Sequence, residues 1–307
     1  LSAAARRGSE AAVSEPAAFL VRVTPVLFVL LWSSGWVTAR FAVDHADPLT
    51  FLAVRHALTA VALALIAVAL GAPWPRGPRA VAHALACGVL LNALYLGGVW
   101  WAIGQGVPAG VSGLISAVQP LLTALLAPWL MAETIRPRQW LGIACGTLGI
   151  GLVLQPQLAA IDATGLAAVA LPLVINVLGM VAATFGTFYQ KRFIPTGHPM
   201  TTQTLQFAAA FAVTIPVAWL VEPMRFVLDG PTIAAMGWAV LVTSIGANTL
   251  LLVLLRRGAV SRTAALLYLM PPLVALQAWI GFGETLAPAQ IAGMAITVLG
   301  VALVTRG

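Results

Sequence analysis

Residues 120–149, PLLTALLAPWLMAETIRPRQWLGIACGTLG, return 151 positions later as residues 271–300, PPLVALQAWIGFGETLAPAQIAGMAITVLG. Without a gap, 13 of these 30 positions are identical, including Pro120 and Pro271, Glu133 and Glu284, Thr134 and Thr285, and Pro137 and Pro288. Gln139 likewise meets Gln290, Gly142 meets Gly293 and Gly149 meets Gly300. The same offset sets Gly35 on Gly186, Arg40 on Lys191, Pro48 on Pro199 and Thr50 on Thr201. Self-similarity at one fixed period means that a single structural unit is used twice.

Composition says what the unit is made of. The 307 residues are 61% hydrophobic and 8% charged, where a soluble domain carries about a quarter charged. Too few polar side chains remain to clothe a globule, and the same figures exclude disorder. The apolar residues fall in blocks long enough for spanning helices of about 20 residues. Ten spans are predicted, at 22–43, 48–70, 80–102, 108–131, 138–155, 165–189, 199–221, 231–255, 260–282 and 286–305. The breaks carry Pro or Gly beside a charge, as around Asp47, Arg76 and Pro195. The first apolar run is long enough to span, which distinguishes it from a cleaved signal.

Charge placement predicts topology. Numbering the connectors alternately gives one side Arg6, Arg7, Arg22, Arg76, Arg79, Arg136, Arg138, Lys191, Arg192, Arg256, Arg257, Arg262 and Arg306. The other side receives Arg225 together with Asp44, Asp47, Asp162, Glu222, Asp229 and Glu284. By the positive-inside rule the first side is cytoplasmic, and both termini with it. The expected location is a bacterial inner membrane, crossed many times. The net charge of +7 comes from residues set singly or in pairs, with no stripe to follow a phosphate backbone, so nucleic acid is not an expected partner. Cys87 and Cys145 lie inside apolar segments and read as small hydrophobes. No metal or cofactor is expected, and nothing demands more than a monomer.

Five spans per unit is an odd number, so the second unit must enter the bilayer from the opposite side. The expected fold is therefore an all-α membrane protein of ten transmembrane helices in two inverted five-helix repeats. The boundaries are a cytoplasmic tail at 1–21, the first repeat at 22–155, a linker at 156–164 and the second repeat at 165–307. Inverted repeats enclosing a midplane site are the architecture of secondary transporters.

The runs WSSGWVTARF at 32–41, FLAVRHAL around Arg55, SAVQPLLTALLAPWLMAETIRPRQWLGIACGTLGIGLVL at 116–154 and LLYLMPPLVALQAWIGFGETLAPAQIAGMAITVLGVALV at 266–304 resemble the EamA-type drug/metabolite transporter superfamily. The likeness covers nearly the whole chain beyond the first twenty residues. Its twice-used Pro, Glu-Thr and Gln-x-x-Gly pattern is specific for the superfamily and uninformative about substrate. The resemblance implies ten helices, with spans 1, 3, 4, 6, 8 and 9 around a cavity. The wall around Trp100 and Trp101 resembles the aromatic amino acid exporter branch. The first-helix motif departs from the family's Trp-Gly-Ser-Asn, reading Trp32, Ser33, Ser34, Gly35.

Polar groups at membrane depth are costly, and each is a functional candidate by default. Arg55 and His56 fall about two turns into span 2. Arg55 either binds a substrate carboxylate through its fork or snorkels toward the outer surface; its repeat mate is Gln206, so the scaffold does not require the charge. His56 points elsewhere and reads as a structural hydrogen-bonding group, kept among the binding candidates. Asn92 and Tyr95, three apart, share a helical face that could line a cavity. Trp101, next to Trp100, fits the cavity or the interfacial belt. Span 4 offers Ser116 and Gln119 beside Pro120, which frees a carbonyl at mid-membrane. The matching part of span 9 has Tyr268, Pro271 and Pro272, so paired helix breaks at these prolines are the expected gating elements; the other reading is that they only shape tilted helices. Asn176 and Asn248 complete the binding candidates. Glu133 and Glu284 read as caps, and Gly142, Gly146, Gly149, Gly293 and Gly300 as packing stripes.

The predicted function is export of small amphipathic metabolites, aromatic or large apolar amino acids foremost, by alternating access. An importer shares the same features, and a lipid or lipid-linked sugar flippase of the same fold would show a lateral opening and a more basic cavity. Gly110–Gly113 matches the Gly-x-Ser-Gly of rhomboid proteases, yet no His is predicted within reach of Ser112, so the chain is not expected to be an enzyme. No Asp or Glu falls deep in any span. The carrier is therefore expected to run without strict proton coupling.

Overall fold

The computed structural model describes residues 23–35, 38, 45–107, 109–159, 169–258, 260–282 and 286–305. Helices follow one another through them: α1 (Val23–Gly35), α2 (Pro48–Ala69), α3 (Pro78–Gly104), α4 (Ala109–Met131), α5 (Pro137–Ala159), α6 (Ala170–Phe193), α7 (Pro199–Val221), α8 (Gly230–Arg257), α9 (260–282) and α10 (Pro288–Thr305). Among the described residues there is no strand, only an isolated bridge between Ala46 and Phe226. Six of the helices are long and apolar enough to cross a membrane: α2, α3, α6, α7, α8 and α10. The protein is an all-helical, multi-pass membrane protein.

Proline opens α2, α3, α5, α7 and α10, where its missing N–H costs nothing and its fixed φ suits the first turn. The end of α6 runs to Phe193, four residues beyond the predicted end. Lys191 and Arg192 stand in its last turn, where cations favour the helix C-terminus, and Pro195 follows. Predicted features at 1–21 and at Arg40, Asp44, Asp162, Glu284, Thr285 and Arg306 lie outside the described residues.

Two long helix pairs form the seams of the molecule. In α5 and α10 the backbones touch: a Cβ on Gly142 would lie 2.6 Å from the Gly300 carbonyl oxygen, and one on Gly149 would lie 2.7 Å from that of Gly293. The contacts are reciprocal, since Gly300 and Gly293 meet the Gly142 and Gly149 carbonyls at 2.6 Å each. This pairing order makes the two helices antiparallel. Helices α2 and α7 form the second seam, also antiparallel, because Leu49 at the start of α2 meets Glu222 at the end of α7.

Carboxylates cap helices across the chain. Glu222 accepts from the Leu49 and Thr50 N–H groups at 2.8 and 2.9 Å and from the Thr50 hydroxyl at 2.9 Å. Glu133 accepts from Val260 N–H at 2.8 Å and from the Ser261 hydroxyl at 2.8 Å, with Lys191 Nζ 3.8 Å away. Each cap satisfies otherwise orphaned N–H groups at the positive end of a helix. Asp229 caps α8 by accepting from Thr232 N–H, and that bond holds its carboxyl below the usual carboxylate range.

Helices α3 and α8 each contain a π-helical segment, Val89–Leu94 and Ala239–Ala247. Shifted by 151 residues, the first falls within the second. Such widened turns recur at functional sites. The interruption expected at Pro120 is absent: α4 stays α-helical through Pro120 and Pro128. Its Ser116 and Thr123 hydroxyls donate back to the Ser112 and Gln119 carbonyls of the same helix. In α9 the departure from α-geometry is a short 3₁₀ segment, Leu266–Leu269, just ahead of Pro271 and Pro272.

Candidate functional site

The widened turn of α8 presents Thr243 and Ser244 to α2, and Arg55 takes both. Its Nε donates to Ser244 Oγ at 2.8 Å and its Nη2 to Thr243 Oγ1 at 2.9 Å. Thr243 passes its own proton to the Ala239 carbonyl at 2.7 Å. The guanidinium is thus fixed across two helices, buried to 7% exposure. Both partners are neutral. Among the described residues, Nη1 and the second proton of Nη2 have no protein acceptor and remain for another.

Arg55 lies in the wall of a cavity between the helices. Its aromatic lining is Trp32, Phe51, Tyr95 and Trp100, the Phe51 and Trp100 rings stacking at 5.7 Å and 12°. The cavity reaches Ala46, Pro48 and Gly104, next to the face where Asp47 meets Arg225 and Asp229 meets His45. A second cavity runs the other way, past Gln119, Thr187 and Thr263 to Val260. It ends beside the Glu133 cap and Lys191. Trp32, Tyr95 and Asn248 line both chambers and form the waist between them.

Of the residues singled out from sequence, Arg55, Tyr95, Gln119 and Asn248 line this two-chambered space. The others lie outside its lining. His56 is fully buried with its ring 5.9 Å from that of Phe207, and neither ring nitrogen has a protein partner. Trp101 packs on Leu49, Leu52 and Ala218, while its neighbour Trp100 faces the cavity. Asn176 donates to Ser112 Oγ at 2.8 Å, tying α6 to α4, which also gives the Gly-x-Ser-Gly serine a structural partner. Ser116 turns onto its own helix. The Tyr268 ring packs where a Cβ on Gly146 would be, and its hydroxyl lies 3.0 Å from Thr147 Oγ1. Asn92 is buried inside the π segment; the wider turn breaks the three-residue spacing that would have set it on the face of Tyr95. Among the described residues no group of three metal-ligating side chains comes together.

Sequence reasoning missed Phe51, Thr243 and Ser244. Phe51 was accessible, since it lies four residues before Arg55 on one helical face. The hydroxyl pair had no signal of its own.

The model of the EamA-like transporter family matches residues 21–155 and, a second time, residues 171–306. The chain is similar to YedA of Escherichia coli strain K12, described as an uncharacterized inner membrane transporter, at 25% identity over 91% of this chain and 88% of that protein. It is similar to a probable terminal-alkyne amino-acid exporter of Streptantibioticus cattleyicolor at 27% identity, with 92% of each chain covered. A probable amino-acid metabolite efflux pump of Salmonella typhimurium is 24% identical over 90% of this chain and 91% of its own. A solved crystal structure with 19% sequence identity shares the fold at a TM-score of 0.78, covering 92% of this chain and 96% of the other.

Proposed function

The chain belongs to the EamA-like transporter family, and from that premise we propose that it exports small amphipathic metabolites, chiefly amino acids with aromatic or large apolar side chains. It sits in a bacterial inner membrane with both termini cytoplasmic. Ten spans in two oppositely inserted halves, 22–155 and 165–307, rock about the waist to give alternating access. The names carried by two of the relatives favour an amino-acid cargo and outward transport.

One observation carries the reading: two chambers directed toward opposite faces meet at Trp32, Tyr95 and Asn248. The reciprocal glycine contacts of α5 and α10 support the inverted halves, because Gly142 meets Gly300, the repeat mate of Gly149, and Gly149 meets Gly293, the mate of Gly142, as they would about a two-fold axis. Arg55 receives the carboxylate, the four aromatic rings enclose the apolar side chain, and Gln119 and Asn248 orient the cargo on its way. With no carboxylate at membrane depth, the cargo runs down its own electrochemical gradient without a coupled proton.

The test is efflux of radiolabelled phenylalanine, and of a set of competing amino acids, from liposomes holding the purified protein. Saturable efflux that survives a protonophore is expected. Tyr95→Ala should lower it by about 10-fold, the size of an aromatic contact, while the yield of folded protein holds. Equal losses of flux and folded yield would make Tyr95 a packing residue and remove the waist from the mechanism.

A further inference from the structure

The electrostatics of the cavity narrow the cargo further, on the premise of the exporter reading above. We propose that, among the amphipathic metabolites of that reading, carboxylate monoanions with an aromatic or branched apolar body and no free ammonium group, such as N-acylated amino acids, are carried faster than the free amino acids, and that their charge moves with them. Arg55 brings a positive charge to the cavity wall, and the two groups that grip it, Thr243 and Ser244, are neutral hydroxyls. Among the described residues no Asp or Glu lies within a helix. The described acids nearest the mouth are already engaged: Asp47 with Arg225, Asp229 with His45, and Glu222 at the start of α2. Glu133 is likewise held at the start of α9.

A buried cation whose wall supplies only dipoles is costly, and a carboxylate on its free edge removes that cost. A zwitterion would cancel the charge at Arg55 but bring an ammonium into a wall with no carboxylate to receive it. Ring faces and the Asn248 amide would be its main acceptors, and the loaded site would keep one net positive charge. A monoanion leaves the loaded site neutral. Its transfer then moves one negative charge across the bilayer. At 100 mV, negative inside, that drives export to a concentration ratio of about 50-fold without any proton.

The experiment uses full-length protein in liposomes under potassium–valinomycin potentials of either sign. N-acetyl-L-phenylalanine serves as the monoanion and L-phenylalanine as the zwitterion, with protein-free liposomes as the blank. The expected result is uptake of N-acetyl-L-phenylalanine at least 10-fold faster under an inside-positive than an inside-negative potential, with phenylalanine a weak competitor. Arg55→Gln should abolish the flux, and Arg55→Lys, which keeps the charge and guards against a folding defect, should retain part of it with the same dependence on potential. Potential-independent transport of phenylalanine, with N-acetyl-L-phenylalanine excluded, would overturn the monoanion inference and leave the amino-acid exporter intact. Failure to move either compound, or any competing amino acid, would overturn both. Wild-type flux of the monoanion through Arg55→Gln would overturn the role of the cation.

Discussion

The two seams of the molecule are built on opposite principles. Where α5 meets α10, glycines at Gly142, Gly149, Gly293 and Gly300 bring carbonyl oxygens to within a side chain's width of the opposite backbone. Polar matching there is confined to the two ends, where Gln139 and Gln290 donate to the Val304 and Val153 carbonyls at 3.4 and 3.1 Å, and between them the helices are held by close packing. Where α2 meets α7, the facing helices bury His56, Thr59, Gln203, Gln206 and Thr214, each with a polar atom that has no partner among the described residues. That seam is fastened at its ends, without glycine packing in between. Glu222 holds the start of α2, and at the far end the Thr201 hydroxyl donates to the Pro73 carbonyl at 2.9 Å. The same repeat has thus produced one seam tight along its length and one held at its tips. Arg55 stands on the second, beside the cavity.

The comparison can be broken most directly on the glycine side. Gly142→Ala forces a Cβ against the Gly300 oxygen and the Val304 side chain at 2.6 and 2.8 Å. Thermal unfolding in detergent should show a loss of about 3 kcal/mol, the upper range for overpacking. A variant that melts with the wild type would mean the seam is loose after all. Next in size is Glu222→Ala, which strips the cap from α2 and should cost about 1–2 kcal/mol in the same assay. Its effect should exceed that of any single polar residue along the α2–α7 interface, because the fastening is at the tip. The smallest change is expected from His56→Leu. Replacing a buried ring whose nitrogens are unpaired should alter stability by less than about 1 kcal/mol, in either direction. A loss comparable to that of Gly142→Ala would show that His56 holds its neighbours together and would erase the distinction between the seams.

Much of the scaffold was legible because the two halves share a code. The glycines of α5 and α10 were read as packing stripes from their spacing, and they pack. Glu133 was read as a cap, and it caps a helix 127 residues away in sequence. The cavity was harder. Periodicity set Tyr95 on a candidate wall, where it lines the cavity, but it grouped Asn92 with it and left Trp100 and Trp101 undivided between cavity and belt. The reason is local: the π segment at Val89–Leu94 widens the turn, so every face assignment made with an ordinary helical period slips beyond it. Proline drew attention to Pro120 as a break, yet the breaks common to both halves fall in segments without proline, VLLNAL and AVLVTSIGA.

By itself the amino-acid sequence determined that this is a membrane protein of two like halves, since hydrophobic blocks, connector charge and a 151-residue repeat are properties of the chain alone. It also supplied the rare membrane-depth cation. What that cation faces was decided by tertiary structure. Thr243 and Ser244 lie 188 and 189 residues from Arg55 and become its partners only when α8 packs on α2 with a widened turn. Pairing across such a distance depends on helix rotation and depth, which the three-dimensional packing sets and the order of residues does not.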